Sequence, residues 1–258
     1  MPIVASIARL FHNSGVTLPR FYVPQLDAGV RETVLPPDEA MHLTRVLRLD
    51  AGDEISVFDG RGHEFRARVT NTARRNVTVE LLEPIQAAAE ARVPITLVQA
   101  VLKGEKMDAV VRDATMLGVV VIEPIVTART IARGARDTDR WTRVSIASAK
   151  QCRRAVVPTI NPPRPFDEWL RSSAHGLRLM LIEPSASTTD ICSLRLLENH
   201  AAGSLALIVG PEGGWTSEER ENAETAGCLS VSLGGLTLRA DAVAVAAIAI
   251  ARFALKDL

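Results

Sequence analysis

The stretch Leu205–Glu219 reads LALIVGPEGGWTSEE. Leu205–Val209 is an apolar run with the length of a buried strand. Gly210, Gly213 and Gly214 permit a tight turn and a close backbone approach. Thr216 stands three residues before Glu219, the spacing of a capping box, and predicts a helix start. A strand, a glycine loop and a helix N-terminus together would favour an anion. Glu212 inside the loop would repel a pyrophosphate, so the ligand that suits the loop is neutral or cationic. A plain strand-to-helix turn has the same pattern, because glycine loops recur on many α/β folds.

Working outward, strands and helices alternate. Ile95–Leu102, Val119–Ile125 and Leu177–Ile182 read as strands. Lys103–Leu117, Asp139–Ala155, Phe166–Ser172 and Asp190–Asn199 read as helices. A helix from Ser217, a strand over Leu229–Leu233 and a closing helix over Ala240–Leu255 follow. This order predicts an α/β domain with a mainly parallel sheet covered on both faces. Between the last strand and helix lies LGGLTLR, Leu233–Arg239, a second glycine site. Gly210–Gly214 and Gly234–Leu238 would then be neighbouring lips at strand C-terminal ends, where open α/β sheets bind ligands. Ile182-Glu183-Pro184 supplies a third lip. The closing helix, ADAVAVAAIAIARFAL, is apolar almost all round. It is either a central core helix or a seam between two copies of the chain.

Toward the N-terminus, residues 1–19 lack a clear period and read as an extension. Residues 20–85 read as a small antiparallel β-barrel. Its signals are Phe21–Val23, a helical stretch from Pro37 to Leu47, and Ile55–Phe58 and Glu64–Val69 flanking Asp59-Gly60-Arg61-Gly62, with Asn76–Leu82 as another strand. Gln86–Arg92 is a linker, and the α/β domain occupies residues 93–258.

Composition excludes several classes. The 258 residues carry no net charge and are 47% apolar, enough for a sizeable core without a polyanion partner being demanded by global charge. Cys152, Cys192 and Cys228 are far apart, which points to thiols in a reducing cytoplasm. His12, His42, His63, His175 and His200 are isolated, so no metal site is expected. The apolar tail is short for a membrane span and carries Arg252. Walker, Gly-x-Ser-x-Gly and Gly-x-Gly-x-x-Gly patterns are missing, which disfavours nucleotide hydrolysis, α/β-hydrolase chemistry and a nicotinamide enzyme. Charge is uneven locally, however. Residues 126–165 hold nine bases (Arg129, Arg133, Arg136, Arg140, Arg143, Lys150, Arg153, Arg154, Arg164) against Asp137 and Asp139, a net +7. That span is either a solvated face or a polyanion contact. Few aromatics argue against base stacking on a sheet.

Taken together, VGPEGGWTSEE followed by LGGLTLRADA resembles the signature of RsmE-type methyltransferases, which methylate N3 of a uridine in 16S ribosomal RNA of the small subunit. HLTRVLR (His42–Arg48), FDGRG (Phe58–Gly62), LGV (Leu117–Val119), Arg140-Trp141 and QCRRAVVP (Gln151–Pro158) match in order along the chain. The resemblance implies a SPOUT-like parallel sheet with a trefoil knot, a PUA-like N-terminal domain for RNA, S-adenosylmethionine as methyl donor, and a cytoplasmic homodimer. On that reading Arg239 stabilises charge developing on the uracil, and Glu212 or Asp241 takes its proton. Ile182, Glu183, Pro184, Val209, Gly210, Pro211, Glu212, Gly213, Gly214, Leu233, Gly234, Leu236 and Leu238 surround the donor. Arg45, Arg48, Arg133, Arg136, Gln151, Arg153 and Arg154 meet RNA. Two positions depart from the family pattern: Met116 where Glu is common before Leu-Gly-Val, and Asp241-Ala242 where Glu-Thr-Ala is common. They motivate an alternative, a non-catalytic RNA-binding or ribosome-assembly protein on the same fold.

Overall fold

A computed structural model describes residues 18–73, 76–131, 137–172, 176–184, 192–199 and 203–257. The expected extension therefore falls almost wholly outside the described residues. The chain divides into two compact units, Met1–Ala87 and Ala88–Leu258.

The first unit is a five-stranded sheet of β1 (Arg20–Tyr22), β2 (Glu32–Val34), β3 (Glu54–Phe58), β4 (Glu64–Ala73) and β5 (Asn76–Pro84), ordered β1-β3-β4-β5-β2. It corrects the antiparallel expectation, because β1 runs parallel to β3 while the other pairs are antiparallel. Alternation puts Ile55 and Val57 of β3, and Val77 and Val79 of β5, into one core with Phe21 and Leu43. Helix α1 (Pro37–Met41) opens with Pro at its first turn, where the missing N–H costs nothing. It widens into a π-turn over His42–Leu47 that ends at Arg48 in the left-handed region, φ 55°. The widened turn buries Leu43 and leaves Met41, Val46 and Leu47 in solvent. The hairpin predicted from Asp-Gly-Arg-Gly is present. The Asp59 carboxylate accepts from the Arg61 and His63 amides (2.7 and 3.1 Å), an Asx-type closure.

In the second unit the elements are β6 (Ile95–Ala100), α2 (Glu105–Met116), β7 (Val121–Val126), α3 (Thr138–Cys152), β8 (Thr159–Ile160), β9 (Arg164–Pro165), α4 (Phe166–Ser172), β10 (Leu177–Leu181), β11 (Cys192–Ser193), β12 (Leu205–Val209), α5 (Ser217–Thr225), β13 (Leu229–Ser232) and α6 (Ala240–Ala254). The sheet runs β11-β13-β10-β12-β6-β7-β8, with β9 also on β7. Every pair in it is parallel. The central strands are buried on both faces, which explains their unbroken apolar runs. Leu205, Leu207 and Val209 of β12 join the core beneath α2 and α6, whereas Ala206 and Ile208 join Phe166, Trp169 and Ala223 opposite. Of the helix read over Asp190–Asn199, Leu194–Asn199 is a 3-10 helix, Cys192–Ser193 is the two-residue β11, and Asp190 and Ile191 lie outside the described residues.

Helix α6 resolves in favour of the core reading on one face, where Ala244, Ala247, Ile248 and Ala251 are buried. Its other face exposes Ile250 (41%) and Phe253 (75%). At its end Arg252, 1% exposed, donates to the carbonyls of Val93 (2.6 Å), Gly118 (2.7 Å) and Leu117 (3.3 Å) and to Asp257 (3.0 Å). No described helix is long and apolar enough to cross a membrane.

Candidate functional site: two glycine loops around one cavity

In the sheet, β10 lies between β12 and β13, with Leu181 level with both Val209 and Val231. Their C-terminal ends therefore open on one side together. A cavity of about 460 Å³ lies there, lined by Ile182, Glu183, Pro184, Val209, Gly210, Pro211, Glu212, Gly214, Leu233, Leu236, Leu238 and Arg239, among others. The two glycine loops and the third lip thus meet. Gly213 and Gly234 support the loops without lining the cavity.

Sequence chemistry dictates each loop. Gly210 has no room for a side chain, since a Cβ would sit 2.9 Å from the Trp215 ring. That ring is fixed, because its Nε1 donates to the Leu181 carbonyl (2.9 Å) and its face meets Phe166 at 4.9 Å. Gly214 takes φ 68° to close a turn in which its N–H donates to the Pro211 carbonyl (3.0 Å). The predicted capping box follows. Thr216 Oγ1 accepts from the Glu219 amide (3.1 Å), and Glu219 Oε2 accepts from the Thr216 amide (2.9 Å). Such a cap contributes about 1 kcal/mol. The other oxygen of Glu219 accepts from the Ala128 amide (2.7 Å), and Arg129 Nη1 donates to the Gly213 carbonyl (2.9 Å). The segment after β7 is therefore fastened to the first glycine loop.

Of the charged groups in the wall, Lys106, Glu212 and Arg239 are paired. Glu212 accepts from Lys106 Nζ at 2.8 Å. Burial pushes its carboxyl up, but Lys106 and backbone amides, that of Lys103 among them, outweigh burial and hold it below the usual carboxylate range. Arg239, whose backbone caps α6, makes a two-pronged contact with Asp241: Nε to Oδ1 3.1 Å and Nη2 to Oδ2 3.0 Å. Arg239 is among the residues lining the cavity and Asp241 is not. Among the described residues, no group of three or more His, Cys, Asp or Glu is placed to hold a metal.

The RNA-contact candidates scatter. Arg45 and Arg48 are exposed on the π-turn of the first unit, beside exposed Val46 and Leu47. Gln151 and Arg153 are exposed at the end of α3. Arg133 and Arg136 lie outside the described residues. Arg154 corrects its assignment. It is buried, ion-paired with Glu90, and donates to the carbonyls of Thr115 (2.7 Å) and Val119 (3.1 Å), so its fork holds the chain together inside the unit. Arg140 is likewise bonded to Asp108. Sequence reasoning missed Lys106, Leu181, Trp215, Ala240 and Val243 in the cavity wall. Lys106 and Glu212 are 106 positions apart, and no local spacing announces such a pair.

Comparison with known proteins places this geometry. The RNA methyltransferase domain family matches residues 89–252, and the RNA methyltransferase PUA domain matches residues 35–82. The chain is 32% identical over 200 residues to the ribosomal RNA small subunit methyltransferase E of Synechocystis sp., covering 77% of this chain and 65% of that relative, just under two thirds of its length. It is 30% identical to the protein of the same name from Mycobacterium bovis, covering 88% of each. A crystal structure of ribosomal RNA small subunit methyltransferase E from Neisseria gonorrhoeae, bound to S-adenosyl methionine, is 32% identical with a TM-score of 0.81, covering 92% of this chain and 97% of that one.

Proposed function

The chain belongs to the RNA methyltransferase family, and on that footing we propose that it transfers a methyl group from S-adenosylmethionine to N3 of a uridine in 16S ribosomal RNA of the small subunit. The observation that carries this reading is the meeting of the GPEGG and LGGLTL loops around one cavity. The named relatives act on small-subunit ribosomal RNA, and the Neisseria protein binds this donor. The cavity fits the donor. Its volume suits a ligand of that size. Its wall combines Leu233, Leu236 and Leu238 for an apolar ring with Glu183 and Glu212 as acceptors. A Cβ at Gly210 or Gly214 would intrude on Trp215 or Glu183.

The bound donor supplies a methyl already activated on a cationic sulfur, so the chain's own work is positioning and proton removal. Uracil N3 carries a proton that must leave as the new bond forms. Arg239 faces the cavity and offsets the negative charge that then spreads over the ring. Both Asp241 oxygens already accept from Arg239, and each keeps a lone pair to receive the N3 proton. Arg45 and Arg48 on the PUA domain, and Gln151 and Arg153 at the end of α3, draw in the phosphate backbone. Retention of both glycine loops supports an enzyme over a non-catalytic RNA-binding protein. Met116, the other departure from the family pattern, lies at the end of α2 outside the cavity wall.

The same reading includes a homodimer, supported by the apolar Ile250 and Phe253 left in solvent on α6. It also includes a trefoil knot, supported by the return of α6 from edge-side β13 to pack on α2, β6 and β12. Light scattering and a donor-bound crystal structure test these two. The function is tested by incubating purified protein and labelled donor with small subunits from a strain lacking the modification. Label at uridine N3 is expected, and absence of label with intact donor binding would refute it. Gly210→Ala drives a methyl into the pinned Trp215 ring. It is expected to weaken donor affinity at least about tenfold by calorimetry, the scale of an overpacked contact.

A further inference from the structure

We propose that Lys106 and Glu212 form the receptor for the zwitterionic amino-acid end of the methyl donor. The assignment rests on the donor reading above and extends it to a subsite. A methyl donor of this class has two unlike ends. The nucleoside is flat and largely apolar, whereas the amino-acid end carries an ammonium and a carboxylate. The cavity wall holds both kinds of group. The lip at Leu233, Leu236 and Leu238 is apolar. Lys106 of α2 and Glu212 of the first glycine loop bring opposite charges to the same wall, 2.8 Å apart and both partly open to solvent.

Other lining charges do not offer this. Glu183 is an acid with no cation bonded to it among the described residues. The carboxylate that partners Arg239 stands outside the wall. Among the described residues, Lys106–Glu212 is the ion pair with both members in the cavity wall. A partly exposed pair is weakly held and opens readily. Cross-pairing then leaves four charges alternating, with the donor ammonium on Glu212 and the donor carboxylate on Lys106. The arrangement removes Glu212 from the proton-accepting role that the sequence left open for it, and leaves that role to Asp241.

Calorimetric titration of the full chain with S-adenosylhomocysteine and with 5′-methylthioadenosine, which lacks the amino-acid end, tests this. Lys106→Met is expected to weaken S-adenosylhomocysteine binding about 10- to 100-fold, the effect of losing a charge-assisted bond, and to leave 5′-methylthioadenosine within about twofold. Lys106→Arg should restore most of the loss. Equal loss for both ligands, or loss for neither, overturns the subsite while leaving the donor reading intact. Failure of the parent protein to bind either ligand overturns the donor reading itself, and the subsite with it. Unchanged thermal melting of Lys106→Met separates lost binding from lost folding.

Discussion

Arg252→Met is expected to cost about 3–5 kcal/mol of stability, lowering the melting temperature of the second unit by roughly 6–20 °C. The loss follows from what the side chain leaves behind. Its guanidinium is 1% exposed and donates to three backbone carbonyls and one carboxylate. Methionine fills the volume but offers no donor, so the buried Asp257 carboxylate loses its buried cation and keeps only the exposed Arg92 guanidinium at 3.4 Å. Replacing both partners, Arg252→Met with Asp257→Leu, is expected to cost less than the two single changes summed, because no uncompensated charge remains. The same cluster predicts a pH dependence. Burial raises the Asp257 carboxyl, but the Val93 and Arg92 amides and the Arg252 charge outweigh it, and the folded value lies below the ordinary one. A depressed folded value means the contribution is fully present above the unfolded value of about 3.9 and is lost as pH falls through the lower folded value. Melting temperature measured from neutral pH downward should fall in that acid window, and Asp257→Asn should flatten that part of the curve.

Arg239→Ala is expected to lower kcat about 10²- to 10³-fold while changing donor affinity only a few-fold. The side chain is bonded by Asp241 and extends from the residue that caps α6, so its direction is fixed before substrate arrives. A preset cation placed where charge develops acts on the transition state more than on the bound ground state. Single-turnover transfer to small subunits at saturating donor measures the chemical step, and calorimetry measures the donor. An Arg239→Ala enzyme with full kcat and weakened donor binding would remove Arg239 from the chemistry and make it a wall of the cavity. Arg239→Lys keeps a charge but not the two-pronged hold on Asp241, and should recover only part of the rate.

Much of this site was legible because its signals are local. Gly210, Gly214, Thr216 and Glu219 lie within ten residues, and each meets a backbone demand that only those residue types satisfy cheaply. The second loop was legible for the same reason. Strands buried on both faces announced themselves as apolar runs, as in β6 and β12. Other features had no such signal. β2 is Glu-Thr-Val with an exposed, half-buried, exposed pattern, so its pairing with β5 comes from edge hydrogen bonds rather than apolar alternation. β8, β9 and β11 are two residues each, too short for any period. The parallel pairing of β1 with β3 depends on which edge a three-residue strand reaches, and its own residues do not encode that. Arg154 shows the limit of charge counting. It belongs to a basic run in sequence, yet Glu90 and two carbonyls from distant segments draw it inside. Lys106 met Glu212 only through the fold.

The register of β6 sets the timing of assembly. Ile95 pairs with Leu205, which comes 110 positions later. At ordinary synthesis speeds, roughly 6–20 s separate the emergence of the two strands. Until β12 arrives, β6 has only β7 beside it and its other edge is bare. α6, which covers the same core, is later still. Long-range parallel pairing of this kind is slow to nucleate and prone to association meanwhile. Nascent chains of this protein should therefore lean on holdase chaperones during that interval, and slower growth temperatures should raise the soluble yield.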